Sequence, residues 1–176
     1  MKALIMASTI AVGLGALGAS CGSDDDDAKV AQAHATLLPK SGNTTLGGTA
    51  TFSGDPGSIS LTLTVTGAPE GVHGVHIHET GDCSAADAMS AGGHWNPAMH
   101  MHGASGPSSH LGDLGNLTVA AGGAGNLTVS NAGWEIGTGT ASDVVGKALV
   151  VHAMQDDLAT QPTGNSGGRI GCGVIQ

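Results

Sequence analysis

The chain has 176 residues and a formal charge of −9, a length that fits one domain with a sizeable core and an acidity that argues against nucleic acid as a partner. Glycine is abundant at 31 residues, tyrosine is absent, and only Phe52, Trp95 and Trp134 are aromatic. A core must therefore be built from Val, Leu, Ile and Ala, and many short elements joined by glycine turns fit this better than helices do.

Lys2 followed by the apolar run 3–19 has the layout of a short export signal, too short and too Gly-rich for a membrane span. It ends in Leu17-Gly18-Ala19-Ser20-Cys21, which resembles the lipobox of bacterial lipoproteins, although Gly18 stands where that motif usually has a branched aliphatic. On this reading residues 1–20 are cleaved, and Cys21 is lipidated and anchors the protein to a membrane in the bacterial envelope or periplasm. A simple cleaved secretory signal is the alternative. Lipidating Cys21 leaves Cys83 and Cys172 as one pair in an oxidising compartment, closing a loop worth roughly 4–5 kcal/mol in the chain-entropy model. Residues 21–32, with Asp24 to Asp27 consecutive, read as a flexible acidic tether, and residues 33–176 as the folded domain.

Residues 33–38 and 45–52 read as short strands around a turn at 39–43. Residues 59–66 alternate strictly apolar and hydroxyl, so one face belongs in a core and the other toward solvent. The turn 67–71 leads into a strand over 72–78, where Val75 and Ile77 face one way and His76 and His78 the other. Gly-Asn-Leu-Thr-Val occurs at 115–119 and again at 125–129, which reads as a β-hairpin. Residues 147–153, ending near His152, and 170–175 are the last strands, with a polar Gly/Pro loop between them. No stretch has a strong helical period, so the expectation is an all-β sandwich or barrel.

Seven of the nine histidines lie within residues 71–113. Imidazole is the commonest metal ligand, and side chains at i and i+2 of a strand stand on one side, so His76 and His78 can reach one ion. His94, His102 and the sequence His110-Leu-Gly-Asp113 follow across a Gly/Ser-rich loop. A preassembled metal centre fits this density better than scattered core residues.

The chain resembles the copper,zinc superoxide dismutases. The matching pieces, in order, are Gly-Val-His-Gly-Val-His-Ile-His-Glu from Gly71, Gly-Asp-Cys from Gly81, Ser-Ala-Gly-Gly-His-Trp-Asn-Pro from Ser90 and His-Leu-Gly-Asp-Leu-Gly-Asn from His110. Leu-Val-Val-His from Leu149, Asp-Asp-Leu from Asp156 and Gly-Asn-Ser-Gly-Gly-Arg-Ile-Gly-Cys-Gly-Val-Ile from Gly164 complete the set.

The resemblance implies an eight-stranded Greek-key β-barrel of the immunoglobulin-like kind, with long metal-binding loops. It implies copper held by His76, His78, His94 and His152, and zinc held by His94, His102, His110 and Asp113. His94 would bridge the two as an imidazolate, and Asp156 would link a copper histidine to a zinc histidine from outside. Arg169 would guide superoxide to the copper, with Cys172 tied to Cys83 keeping arginine and loop in register. His94 and Arg169 are then the catalytic pair, in a monomer or homodimer.

His73 is expected to pack rather than ligate, His100 could compete with His102 for zinc, and His34 has no ligand case. The loop 102–110 is one residue shorter than the common pattern. The loop before Arg169 is also short and lacks the charges many relatives use for steering. Two rivals stand beside the dismutase: a copper buffer or delivery protein of the same fold, and a zinc hydrolase, which a saturated zinc set without a general base disfavours.

Overall fold

The computed structural model describes residues 30–176. The export signal, Cys21 and residues 21–29 of the expected tether lie outside the described residues. Eight strands follow one another as β1 (Ala31–Pro39), β2 (Gly47–Asp55), β3 (Ser58–Thr66), β4 (Gly71–His78), β5 (Asp113–Val119), β6 (Gly125–Asn131), β7 (Ala148–His152) and β8 (Arg169–Val174). They close into a barrel in the order β1-β2-β3-β6-β5-β4-β7-β8, every pair antiparallel. The neighbours β3/β6 and β4/β7 are distant in sequence, which is the Greek-key crossover expected. Among the described residues the only helical element is the 3-10 turn Met89–Ala91.

Alternation sets what faces inward. Ile59, Leu61, Leu63 and Val65 of β3 enter the core, opposite the small Ala33 and Ala35 of β1 and Ala50 of β2. Phe52 meets Trp134 edge to face at 5.5 Å between centroids, and the Trp134 indole N–H donates to Leu111 O at 3.0 Å. Such an aromatic pair contributes about 0.5–1.5 kcal/mol beyond its buried area.

Two boundaries differ from expectation. Ala31 and Gln32, read as the end of the tether, are the first residues of β1, because they pair with Gly54 and Ser53. The repeated Gly-Asn-Leu-Thr-Val segments fall in β5 and β6 but pair only at Val119↔Gly125. Beyond that point they splay, β5 running along β4 and β6 along β3. The repeat thus bridges the two halves of the barrel, and its strands take distant partners because those partners offer the longer ladders.

The strands β4 and β7 are buried on both faces. Val75, Ile77, Leu149 and Val151 enter the barrel core, while Ala148 and Val150 pack outward against Ala88, Ala91 and Cys172. The long loop between β4 and β5 therefore lies against the barrel wall, and polar side chains on the outer face of β4 become interior.

Candidate metal centre

Pairing of β4 with β7 sets His76 opposite Val150 and His78 opposite Ala148, so His152 emerges at the end of β7, on the same side as both. The register slips at Val75/His76 against β5 and at Val151/His152 against β8, irregularities that re-aim the side chains beside them. His94 arrives from the loop through an isolated bridge to His78. Trp95 N–H donates to Ile77 O at 2.8 Å, and Gly112 N–H to Trp95 O at 2.9 Å. A side chain at Gly112 would collide with the Ile77 carbonyl, so glycine is what lets the loop dock here.

Two compact groups result, His76/His78/His94/His152 and His76/His94/His102/Asp113, with ligand atoms in each group within 4.8 Å of one another. His76 and His94 belong to both. His94 Nδ1 lies 3.1 Å from Asp113 Oδ1, while its Nε2, on the opposite edge of the ring, is buried with no hydrogen-bond partner. His102 Nδ1 approaches the same oxygen at 3.0 Å and His110 Nδ1 at 3.3 Å. His110 stands just outside the second compact group. Asp113 Oδ2 is occupied by the amides of Gly103 and His110 at 3.0 and 3.1 Å, which leaves Oδ1 for the centre. On the other side His78 Nε2 faces His152 Nε2 at 3.3 Å, and His76 Nδ1 is buried without a partner.

Converging ring nitrogens, three of them buried and unpartnered, are what a metal cation would satisfy. Four nitrogens suit Cu(II), and three nitrogens with a carboxylate suit Zn(II).

The far edges of the rings are held as well. Asp156 accepts from His76 Nε2 at 2.7 Å and His102 Nε2 at 2.9 Å, so one carboxylate joins the two groups. His78 Nδ1 donates to Gly92 O at 3.0 Å and His152 Nδ1 to Gly167 O at 3.2 Å. Such partners fix tautomer and ring rotation. Asn116 clamps the backbone of Asp156, donating to its carbonyl at 2.9 Å and accepting from its amide at 2.8 Å. In the sequence Asn116 stands out only as the last residue of the motif from His110 and as part of an Asn-Leu-Thr sequon, and neither feature is a local sign of such a partner. His73 lies buried, its Nδ1 2.8 Å from His152 O and its Nε2 2.9 Å from Pro69 O, outside both groups. His100 is exposed beside Ser109 O and His34 beside Thr51, also outside them.

Protonation follows from burial and charge. Burial pushes His76 down to about 4 and His152 down to about 3, and holds His78 well below the ordinary histidine value. Burial alone would raise Asp156, but hydrogen bonds from His76, the Leu158 amide and His102 outweigh it and bring the carboxyl down to about 2. His102 goes the other way: burial opposes its charge, yet Asp156 and Asp113 prevail and raise it. At neutral pH His76, His78 and His152 therefore offer neutral rings, and Asp113 and Asp156 are ionised, the forms that bind metals.

A cavity of about 240 Å³ opens over this group, lined by His78, His94, His152, Met89, Thr163 and Arg169. The Arg169 guanidinium donates to Ala88 O and Gly92 O, each at 2.6 Å. Cys83 is bonded to Cys172 with Cα atoms 5.8 Å apart, tying the same loop to β8. That disulfide fits an oxidising compartment. A larger cavity of about 640 Å³ lies elsewhere, against His100, Pro107 and Ser142, and touches none of the converging ligand atoms. Chemistry, not volume, marks the site.

The family model described as copper/zinc superoxide dismutase matches residues 46–175. A copper-zinc superoxide dismutase of Deinococcus radiodurans is 40% identical over 156 residues, covering 81% of this chain and 83% of that protein. A solved structure of a SOD-like protein from Bacillus subtilis superposes with a TM-score of 0.70 at 32% identity, covering 80% of this chain and 95% of that one. The clock protein EA4 does so with a TM-score of 0.71 at 32% identity, covering 83% and 94%.

Proposed function

Because this chain belongs to the copper/zinc superoxide dismutase family, whose cofactors are copper and zinc, we propose that it converts superoxide to dioxygen and hydrogen peroxide. His76 Nδ1 with the Nε2 atoms of His78, His94 and His152 would hold copper. The Nδ1 atoms of His94, His102 and His110 with Asp113 Oδ1 would hold zinc. The observation that carries this reading is the His94 ring, which both ligand groups share and whose Nδ1 lies at Asp113 Oδ1 while its Nε2 is buried and unpartnered.

Copper, when bound, supplies the one-electron cycle by which one superoxide becomes dioxygen and a second, with two protons, becomes hydrogen peroxide. The chain's own residues manage charge and protons around it. Arg169 lines the cavity over His78, His94 and His152, a local positive spot that draws a small anion toward a protein of net negative charge. Two carbonyls hold its guanidinium, so it orients the anion without swinging away. With Nδ1 engaged on the Asp113 side, His94 would keep its ring orientation while Nε2, serving in turn as copper donor and as proton carrier, would hand a proton to the reduced product. Export with a lipid anchor at Cys21, in the bacterial envelope, is proposed from the leader pattern, and the Cys83–Cys172 bond supports an oxidising location.

The test is superoxide turnover by the purified protein loaded with copper and zinc, beside His152→Ala. Rapid turnover lost in the variant supports the reading. Full metal occupancy with no turnover would refute it and favour a copper-holding protein of the same fold.

A further inference from the structure

His102 sits in an irregular run that belongs to no strand, yet it is buried. No backbone partner among the described residues serves its amide or its carbonyl. Both are met by one side chain: Gln161 Oε1 accepts from His102 N–H at 2.7 Å, and Gln161 Nε2 donates to His102 O at 2.9 Å. The second amide hydrogen of Gln161 goes to Ala159 O at 3.0 Å, which steadies the carboxamide itself. The side chain thus stands where a neighbouring strand would be, 59 residues away in sequence.

We propose that Gln161 is a zinc-side positioning residue, a carboxamide clamp that fixes the backbone of His102 so that its Nδ1 points at Asp113 Oδ1. The inference rests on the assignment of His102 to zinc made above. The loop bearing Gln161 grips His102 twice, Gln161 at the backbone and Asp156 at ring Nε2, and two fixed points leave the ring little freedom to turn. The two grips differ in reach. Asp156 also holds His76, so it acts on both ligand groups, whereas both bonds from Gln161 to the metal-bearing loop end on His102. Gln161 is exposed in the loop, outside the barrel core, so removing its amide spares the packing that supports the fold.

The experiment is chelator competition for zinc and for copper on the full protein, comparing wild type with Gln161→Ala, Gln161→Glu, Asp156→Asn and His110→Ala. Cobalt(II) bound in place of zinc gives a visible spectrum that reports the ligand geometry. Gln161→Ala should weaken zinc by about 10–100-fold and copper by no more than about twofold, while Asp156→Asn weakens both. Gln161→Glu keeps an acceptor for His102 N–H but sets a carboxylate against His102 O, so zinc should fall and the cobalt bands should shift. Unchanged zinc affinity in Gln161→Ala, or a parallel fall of both metals, would overturn the clamp. Wild-type zinc affinity in His110→Ala would overturn the zinc assignment itself, and the proposal with it.

Discussion

Gly164 sits at a point where the backbone of the last loop passes under the Asp156 carboxylate. Its φ is +64°, and a Cβ there would fall onto Asp156 Oδ1 and within 2.6 Å of His102 Nε2. Gly164→Ala therefore meets two costs. Holding alanine in the left-handed region costs about 1–2 kcal/mol. Displacing the carboxylate from His102 removes a charge-assisted hydrogen bond in a buried place, about 1.5–3 kcal/mol more. Together they come to roughly 3–5 kcal/mol, a large share of the ~5–15 kcal/mol that holds a typical domain folded. Urea unfolding of the metal-free protein at pH 7 measures it, as a midpoint lowered by about 2 M for a slope near 2 kcal/mol per molar. The same displacement should weaken both metals, since Asp156 touches both ligand groups. Gly168→Ala is the control: it lies in the same loop with nothing within 4 Å of its Cβ, and should stay within about 0.5 kcal/mol of the parent. If Gly164→Ala matched Gly168→Ala in stability and kept its metals, the close packing of this turn on Asp156 would have no energetic meaning.

The disulfide closes 89 residues of sequence separation, so Cys83→Ser with Cys172→Ser should lower stability by roughly 4–5 kcal/mol in the chain-entropy model. It should also loosen Arg169, whose two acceptors, Ala88 and Gly92, lie in the tethered loop. A loss under about 1 kcal/mol by urea unfolding would contradict this. Acidification gives a third expectation. In the folded metal-free protein burial keeps His76, His78, His110 and His152 below the ordinary histidine value, His76 at about 4 and His152 at about 3. The unfolded chain takes up those protons from about pH 6.5 downward, so this stability is present above pH 6.5 and is lost as pH falls through 4 and 3. His76 alone contributes on the order of 3 kcal/mol. His102, raised by its two carboxylates once burial is overcome, has the opposite slope, but one ring stands against four. The urea midpoint of the metal-free protein should therefore drop between pH 7.5 and 4.5, and a flat or rising profile would refute the assignment of neutral buried rings.

Where the sequence was legible, a local pattern mapped onto one strand. The hydroxyl/apolar alternation became β3 without ambiguity, and His-x-His became two rings on one side of β4. The ligand list came from the resemblance, and the structure gathers His76, His78, His94 and His152 in one compact group. It was illegible where the deciding partner is remote. The repeated Gly-Asn-Leu-Thr-Val segments look like a self-contained hairpin because both copies and the turn are local, but the longer ladders lie with β3 and β4. Asn116 and Gln161 read as ordinary polar residues, because a carboxamide clamp is defined by the backbone it meets 40 or 59 residues away. The irregular registers beside His76 and His152 likewise leave no mark in composition.

These failures share a physical origin, which also explains how the centre is divided. The barrel supplies positions: His76, His78 and His152 lie on hydrogen-bonded strands, and Asp113 begins β5. The loops supply orientations: Gly92 O turns His78, Gly167 O turns His152, and Asp156 turns both His76 and His102. A ring nitrogen can reach a shared ion only when the Cα is placed and the ring rotation is fixed, so neither layer suffices alone. The strand layer is bound into the cooperative core, and disturbing it unfolds the domain. The loop layer is anchored by a disulfide, two amide clamps and one carboxylate, and loosening an amide clamp leaves a barrel whose ligands are present but misaimed. Side-chain changes between β7 and β8 that leave the backbone path intact, such as Gln161→Ala, should accordingly alter metal affinity far more than fold, because that segment meets the ligand rings through outer hydrogen bonds.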